Sequence, residues 1–279
     1  MENIIPNNNN MTITLKKEGN RSKRQEYIDL AFERIGETVI NKMGSKMWII
    51  KYDNSQNVLV KFEDGFICNT QYDSFKKGIT KNPFDKSVYG IGYMGAGKYK
   101  SKIDSKMTVQ YDRWKHMLSR CYSDKYQVKQ PTYIGCSVSD EWLNFQNFAE
   151  WYDKNYYEID GHIMDLDKDI LCKGNKIYSS KTCVFAPSNI NTLFVKNDII
   201  RGIYPIGVCF DKLINKFKAT YRNKNIKKHL GVFETSLEAF NAYKLYKEKF
   251  IKITAEQYKK CIPIQLYTAM IKYQVEITD

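Results

Sequence analysis

The stretch GIYPIGVCFDKLINKFKATYRNKNIKKHLGVFETSLEAFNAYKLYKEKFIKI, Gly202 to Ile253, decides how this chain is read. Three β-type runs, Ile206 to Phe210, Lys216 to Tyr221 and Lys227 to Phe233, are separated by the turn-prone segments Asp211 to Asn215 and Asn223 to Asn225. That order predicts a three-stranded antiparallel meander. Thr235 followed by Glu238 is a capping box, so a helix begins there. Ala239, Ala242, Tyr243, Tyr246 and Phe250 recur at spacings of three and four and form a stripe able to cover one face of the sheet. In the second strand Phe217 and Ala219 alternate with Lys216, Lys218 and Thr220, and a period of two sends the lysines to the face away from the helix.

Between Gly202 and Lys252 eleven Lys and Arg stand against four Asp and Glu, a local balance of +7 in a chain of +13. A ribbon of that sign and width suits the major groove of duplex DNA, where Lys and Arg neutralise phosphates and long side chains reach base edges. A solvated Lys-rich surface is the plainer reading. Nucleic acid is favoured because the charge coincides with a defined sheet rather than a tail.

The run GV-x-F ahead of a turn, then K-F-K-A, K-K-H-L-G-V-F-x-T and E-A-F-x-A-Y, resembles the Apetala/ethylene-response-factor type of DNA-binding domain, which also occurs in phage and mobile-element HNH endonucleases. The resemblance implies a sheet docked in the major groove. Carried over by position, it names Lys216, Lys218, Tyr221, Arg222, Lys227, Lys228 and His229 as contacts. Arginine is scarce among them, which favours phosphate contact over base readout.

A second informative stretch is HIMDLDKDILCKGNKIYSSKTCVFAPSNINTLF, His162 to Phe194. A strand (Ile163 to Leu166), the acids Asp165, Asp167 and Asp169, a Gly174-Asn175 turn, a second strand (Thr182 to Phe185), and Pro187 opening a helix with Asn189 and Asn191 predict a β-hairpin followed by a helix. This order resembles the ββα His-Me finger of HNH nucleases. That family uses a strand-borne His to activate water, a loop Asn to orient it and a helix His or Asn to help hold one divalent metal. Placed on the pattern, Lys168 stands where the general-base His belongs, and His162 lies at or before the first strand. A protonated lysine takes no proton from water unless its pKa falls by several units, and neighbouring aspartates push it the other way. The motif therefore reads as degenerate. If it is active, Asp165, Asp167, Asp169 and Asn175 are the catalytic candidates and Mg²⁺ the metal, which requires the strand to stay regular through all the acidic positions. Otherwise the aspartates pair with Lys168, Lys173 or Lys176.

The remaining chain divides by pattern into an α+β protein. Residues 1–35 read as a flexible basic arm, with Ser22 to Ile35 either a short helix or a continuation of the arm. Residues 36–100 alternate as short strands (ETVINK, KMWIIKYD, NVLVKFEDG, FICNTQYDSFKKG) and predict a small, partly closed β-domain. Its end, SVYGIGYMGAGKYKSK, is glycine-rich but lacks phosphate-loop spacing, and reads as a linker with Tyr89, Tyr93 and Tyr99 packed locally. Residues 101–200 hold a helix, Thr108 to Tyr122, with Trp114, Met117, Leu118 and Cys121 on one face. A second helix runs from Asp140 to about Asn155 with Trp142, Phe145, Phe148, Ala149 and Tyr152, and the ββα segment follows. Residues 201–279 hold the basic sheet, its helix, and a last helix from Pro263 (Leu266, Ala269, Met270, Tyr273) with a strand-like tail, Gln274 to Ile277. That last helix docks on a neighbouring element or serves a homo-oligomer.

A hydrophobic fraction of 43% and 21 Tyr argue for a folded chain, and no apolar run has membrane-spanning length. A polar, Asn-rich start predicts the cytoplasm of a host bacterium. The seven cysteines form no CxxC pair, and Cys121, Cys136, Cys172 and Cys183 lack zinc-ribbon spacing, so they read as small buried hydrophobes. The whole order from Gly36 to Asp279 is similar to phage proteins described as HNH or homing-endonuclease-like. That likeness implies a nuclease-derived scaffold with duplex DNA as partner. The alternative is a phage anti-defence inhibitor that occupies a host DNA-targeting immune complex.

Overall fold

The computed structural model describes residues 23–195, 203–223, 226–277 and 279; the expected N-terminal arm lies outside them. The chain is mixed α and β, and it divides into two compact units, Met1–Asp85 and Lys86–Asp279.

In the first unit α1 (Lys23–Arg34) precedes an antiparallel meander of β1 (Thr38–Ile40), β2 (Lys46–Asn54), β3 (Asn57–Phe62) and β4 (Ile67–Thr70), ordered β1-β2-β3-β4. The sheet is open, with β1 and β4 at its edges, rather than partly closed. Alternation puts Met47, Ile49, Val58, Val60 and Phe62 into one core. The run predicted as a last strand leaves the sheet at Thr70 and becomes α2 (Tyr72–Lys76), because Phe75 on that helix completes the same core. Residues 23–34 take the helical alternative. The guanidinium of Arg34 lies 3.9 Å from the Tyr72 ring centre and 4.8 Å from that of Tyr52, while the Tyr72 hydroxyl donates to Glu37 at 2.9 Å. Asp85 closes the unit by accepting from the Asn41 amide at 2.8 Å and from the Ser45 hydroxyl.

The β-domain therefore ends at Asp85 rather than near residue 100, because the glycine-rich segment belongs to the second unit. There it is a strap on the helices. A Cβ at Gly92 would fall 2.4 Å from Leu118 Cδ1, and at Gly95, where φ is +67°, 2.0 Å from Asn144 Oδ1. Tyr93 exchanges backbone hydrogen bonds with Leu143 and Phe145, both 2.9 Å. After a small hairpin of β5 (Lys102–Ile103) and β6 (Lys106–Met107), α3 (Val109–Tyr122) buries Trp114, Met117, Leu118 and Cys121 as its spacing predicts. Then come α4 (Asp124–Lys129), β7 (Ser137–Val138), α5 (Asp140–Leu143) and α6 (Phe145–Asn155). The single helix expected over 140–155 is broken at Asn144, which is extended and accepts from the Gln146 backbone N–H at 3.0 Å. An asparagine that caps α6 in this way stops α5. Trp142, Phe145, Phe148, Ala149 and Tyr152 are nevertheless all buried in one aromatic core.

The central hairpin pairs β8 (Met164–Asp167) with β10 (Val184–Pro187) antiparallel; β9 (Ile177–Tyr178) lies between them in sequence and pairs in parallel with β7, and α7 (Ser188–Asn191) follows. Both hairpin strands lie slightly C-terminal to their predicted limits. They form a layer between two cores. Met164, Leu166 and Phe185 face the aromatic core, whereas Val184 and Ala186 join Ile190, Ile251, Ala255, Leu266 and Met270.

The predicted meander is present as β11 (Val208–Asp211), β12 (Lys216–Asn223) and β13 (Ile226–Phe233), in that order and antiparallel. The capping box of Thr235 and Glu238 starts α8 (Ser236–Tyr258), and α9 (Ile264–Lys272) follows Pro263. At 23 residues α8 is about 34 Å long and serves two cores. Ala239, Phe240 and Tyr243 pack on the sheet, whereas Ile251 and Ala255 pack on the ββα layer. The sheet and the ββα layer accordingly belong to one compact unit, Lys86–Asp279. Among the described residues the tail expected as a strand pairs with none; instead Val275 is fully buried in the core between the sheet and its helix.

Candidate nucleic-acid interface and the central hairpin

Register assigns each residue of the sheet to a face, because directly opposed residues of antiparallel strands point the same way. Ala219 opposes Val208 and Gly231, and Tyr221 opposes Lys228. Ala219 and Tyr221 are buried under α8, so they define the inward face. The outward face carries Lys218, opposite Cys209 and Val232, Thr220 opposite His229, and Arg222 opposite Lys227. A bulge between Ala219 and Thr220 accommodates Leu230 without disturbing this alternation.

Five of the seven expected contacts therefore share the outward face: Lys216, Lys218, Arg222, Lys227 and His229. Tyr221 does not. It is 2% exposed, its ring centre lies 5.1 Å from that of Tyr246 and 5.4 Å from that of Phe250, and burial pushes its pKa up to about 12. Lys228 is exposed but belongs by register to the inward side, opposite Tyr221.

The five outward side chains are not equivalent. Lys218 is ion-paired with Asp211, whose carboxylate its hydrogen bond holds below the ordinary range, and Lys216 with Glu234. Arg222, Lys227 and His229 are exposed near the β12–β13 turn and have no acidic partner among the described residues. Phe210, Phe217, Tyr221 and Phe233 all point inward by register, so no phenyl, phenol or indole ring stands on this face among the described residues.

In the central hairpin the four nuclease candidates do not converge. The strand ends at Asp167, and the Asp167 carboxylate turns back to accept the backbone N–H groups of Asp169 and Ile170, both at 2.8 Å. Asp169 instead meets Lys168 at 3.4 Å. Asp165 accepts from Ser188 Oγ at 2.5 Å and Asn191 Nδ2 at 3.3 Å, and the Asn175 amide donates to the Lys168 and Ile177 carbonyls, both 2.7 Å. These groups do not fit a Mg²⁺ site, because a compact oxygen cage is needed: Asp167 and Asp169 interact with each other, but Asp165 and Asn175 are committed to hydrogen bonds elsewhere. No cluster of three or more His, Cys, Asp or Glu suited to a metal is present among the described residues.

Lys168 does not fit the base role either. Burial opposes its charge, but Asp169, Cys136 and Asp167 beside it more than offset this and hold its pKa above the ordinary lysine value. Cys121, Cys136 and Cys183 are buried in the aromatic core, where loss of solvent pushes the first and last up to about 12, while Cys172 is exposed.

Burial, reinforced by Asp169, raises the pKa of Asp167 to about 6 from an ordinary 3.8. The folded state thus keeps a proton that the unfolded chain has released, so stability is greatest below about pH 4 for this group and falls as pH rises to about 6. Asp167→Asn keeps the acceptor for both backbone N–H groups and removes the titration. Relative to the variant, the parent is expected to lose about 1–3 kcal/mol of unfolding free energy between pH 4 and 6.5. Parallel stability curves in urea would contradict this.

One polar cluster has no signature in the sequence. His162 Nδ1 lies 2.9 Å from the Asp160 carbonyl and acts as donor there, which leaves Nε2 to accept from the Tyr258 hydroxyl at 2.7 Å. Asn189 Nδ2 donates to the same hydroxyl at 2.6 Å. These contacts pin the entry of β8 and α7 to the end of α8, across 96 positions of sequence. No family model, curated protein or solved structure matches the chain.

Proposed function

We propose that the chain is a double-stranded DNA-binding protein whose contact surface is the outward face of the β11–β13 sheet, with the degenerate HNH-like ββα unit as scaffold rather than hydrolytic centre. The observation that carries this reading is the row Arg222, Lys227 and His229, two cations and an imidazole exposed on one face of the ribbon without acidic partners among the described residues. The duplex is favoured over single strands because strand-binding proteins stack bases on aromatic rings, and the rings here point inward. Scaffold use of the ββα unit is supported by the commitment of Asp165, Asp167 and Asn175 to loop hydrogen bonds.

Fluorescence anisotropy with a labelled duplex and its single strand tests the proposal. About two neutralised phosphates, from Arg222 and Lys227, give a slope of roughly −1.8 in log K against log salt, or a roughly twelvefold loss between 50 and 200 mM. The single strand is expected to bind at least about tenfold more weakly. Affinity that is flat with salt, or a preference for the single strand, would refute the proposal.

A further inference from the structure

Half of the outward face is electrically silenced from within. Asp211 and Glu234 lie at the end of the sheet remote from the β12–β13 turn, and each is ion-paired with a lysine of β12 that otherwise points at the ligand: Asp211 with Lys218, Glu234 with Lys216. We infer that Asp211 and Glu234 are intramolecular competitors for phosphate, which keep this end of the plate neutral and confine polyanion contact to the Arg222–Lys227–His229 end. The inference rests on the DNA-binding reading of the same face and specifies how that face is limited and oriented.

The geometry favours competition over a purely structural role. Lys216 and Glu234 are both substantially exposed, with side chains 43% and 71% accessible, and an exposed pair of this kind adds only about 0–1 kcal/mol to stability. A phosphate arriving at Lys216 meets a carboxylate already in place. The Lys218 pair is more sheltered, at 38% and 16%, but Asp211 has a second task that asparagine can perform. Its Oδ1 accepts the Leu213 backbone N–H at 2.9 Å and holds the turn that reaches Asn215, whose φ is +55°. Glu234 lies outside the capping box, which uses Thr235 and Glu238. Both carboxylates can thus be neutralised with the turn and the helix start left in place.

The test is the double variant Asp211→Asn/Glu234→Gln in the full chain, titrated with duplex over a salt series. Freeing two lysines raises the number of neutralised phosphates from about two to about four. The slope is expected to steepen from roughly −1.8 to roughly −3.6, and affinity at 0.1 M salt to rise at least tenfold. Net charge alone is controlled by Asp112→Asn/Glu150→Gln, which removes two acids from α3 and α6, helices that pack in the aromatic core rather than on the sheet. That control is expected to change affinity less than about twofold, since screening confines charge effects to about 10 Å at 0.1 M salt. An unchanged slope in the sheet variant, or an equal gain in the control, would overturn the inference. Either result, with salt-dependent parental binding that still needs Arg222 and Lys227, would leave the DNA-binding proposal standing. Absence of any parental duplex binding would overturn both.

Discussion

Reversing Arg222 and Lys227 together to glutamate is expected to weaken duplex binding roughly a hundredfold at 0.1 M salt. Removing two phosphate contacts accounts for about sixtyfold of this through lost counterion release, and the two new carboxylates facing phosphate supply the rest. Stability should change by less than about 0.5 kcal/mol, because both side chains are exposed and neither has an ion-pair partner among the described residues. The two residues oppose each other across β12 and β13, so their effects should be coupled rather than independent. Titration of the double variant alongside each single change measures both the loss and the coupling. A loss below about fivefold would remove this end of the sheet from the interface.

The second large effect is on folding. Tyr221→Ala is expected to cost about 3–5 kcal/mol, the range for deleting a fully buried aromatic ring. Its ring is the point where Tyr243, Tyr246 and Phe250 of α8 meet the sheet. Tyr221→Phe keeps that ring and should leave duplex affinity within about twofold of the parent, because the hydroxyl is buried on the side away from the proposed ligand. Denaturant unfolding reads the first variant and anisotropy the second. A tenfold loss of affinity in the phenylalanine variant would return Tyr221 to the interface.

Tyr221 also marks where reading the sequence went astray. Period two from Phe217 and Ala219 already places it inward; positional carry-over from a family resemblance placed it outward, and the local alternation was the better guide. The meander, the capping box and the Trp114-to-Cys121 stripe were legible because each depends on residues a few positions apart. The break at Asn144 carried a local signal too, but the apolar periodicity on either side masked it. The dispersal of the acidic cluster was not legible, since it depends on the strand ending at Asp167 and on that carboxylate turning back to cap the loop. Nor was the ion pairing of Lys216 and Lys218, which needs the strand register and the placement of Asp211 and Glu234 beside them. The reach of α8 into a second core joins the two regions, 101–200 and 201–279, that the sequence pattern divides.

The most direct measurement is the amide chemical-shift map of the protein titrated with a short duplex. Shifts are expected to concentrate at Thr220, Arg222, Lys227 and His229, fade toward Asp211 and Glu234, and leave the central hairpin around Asp165 and Asp167 unmoved. Shifts centred on that hairpin, or on the solvent side of α8, with the sheet silent, would contradict the claim that the outward face of this sheet is where the protein meets a polyanion.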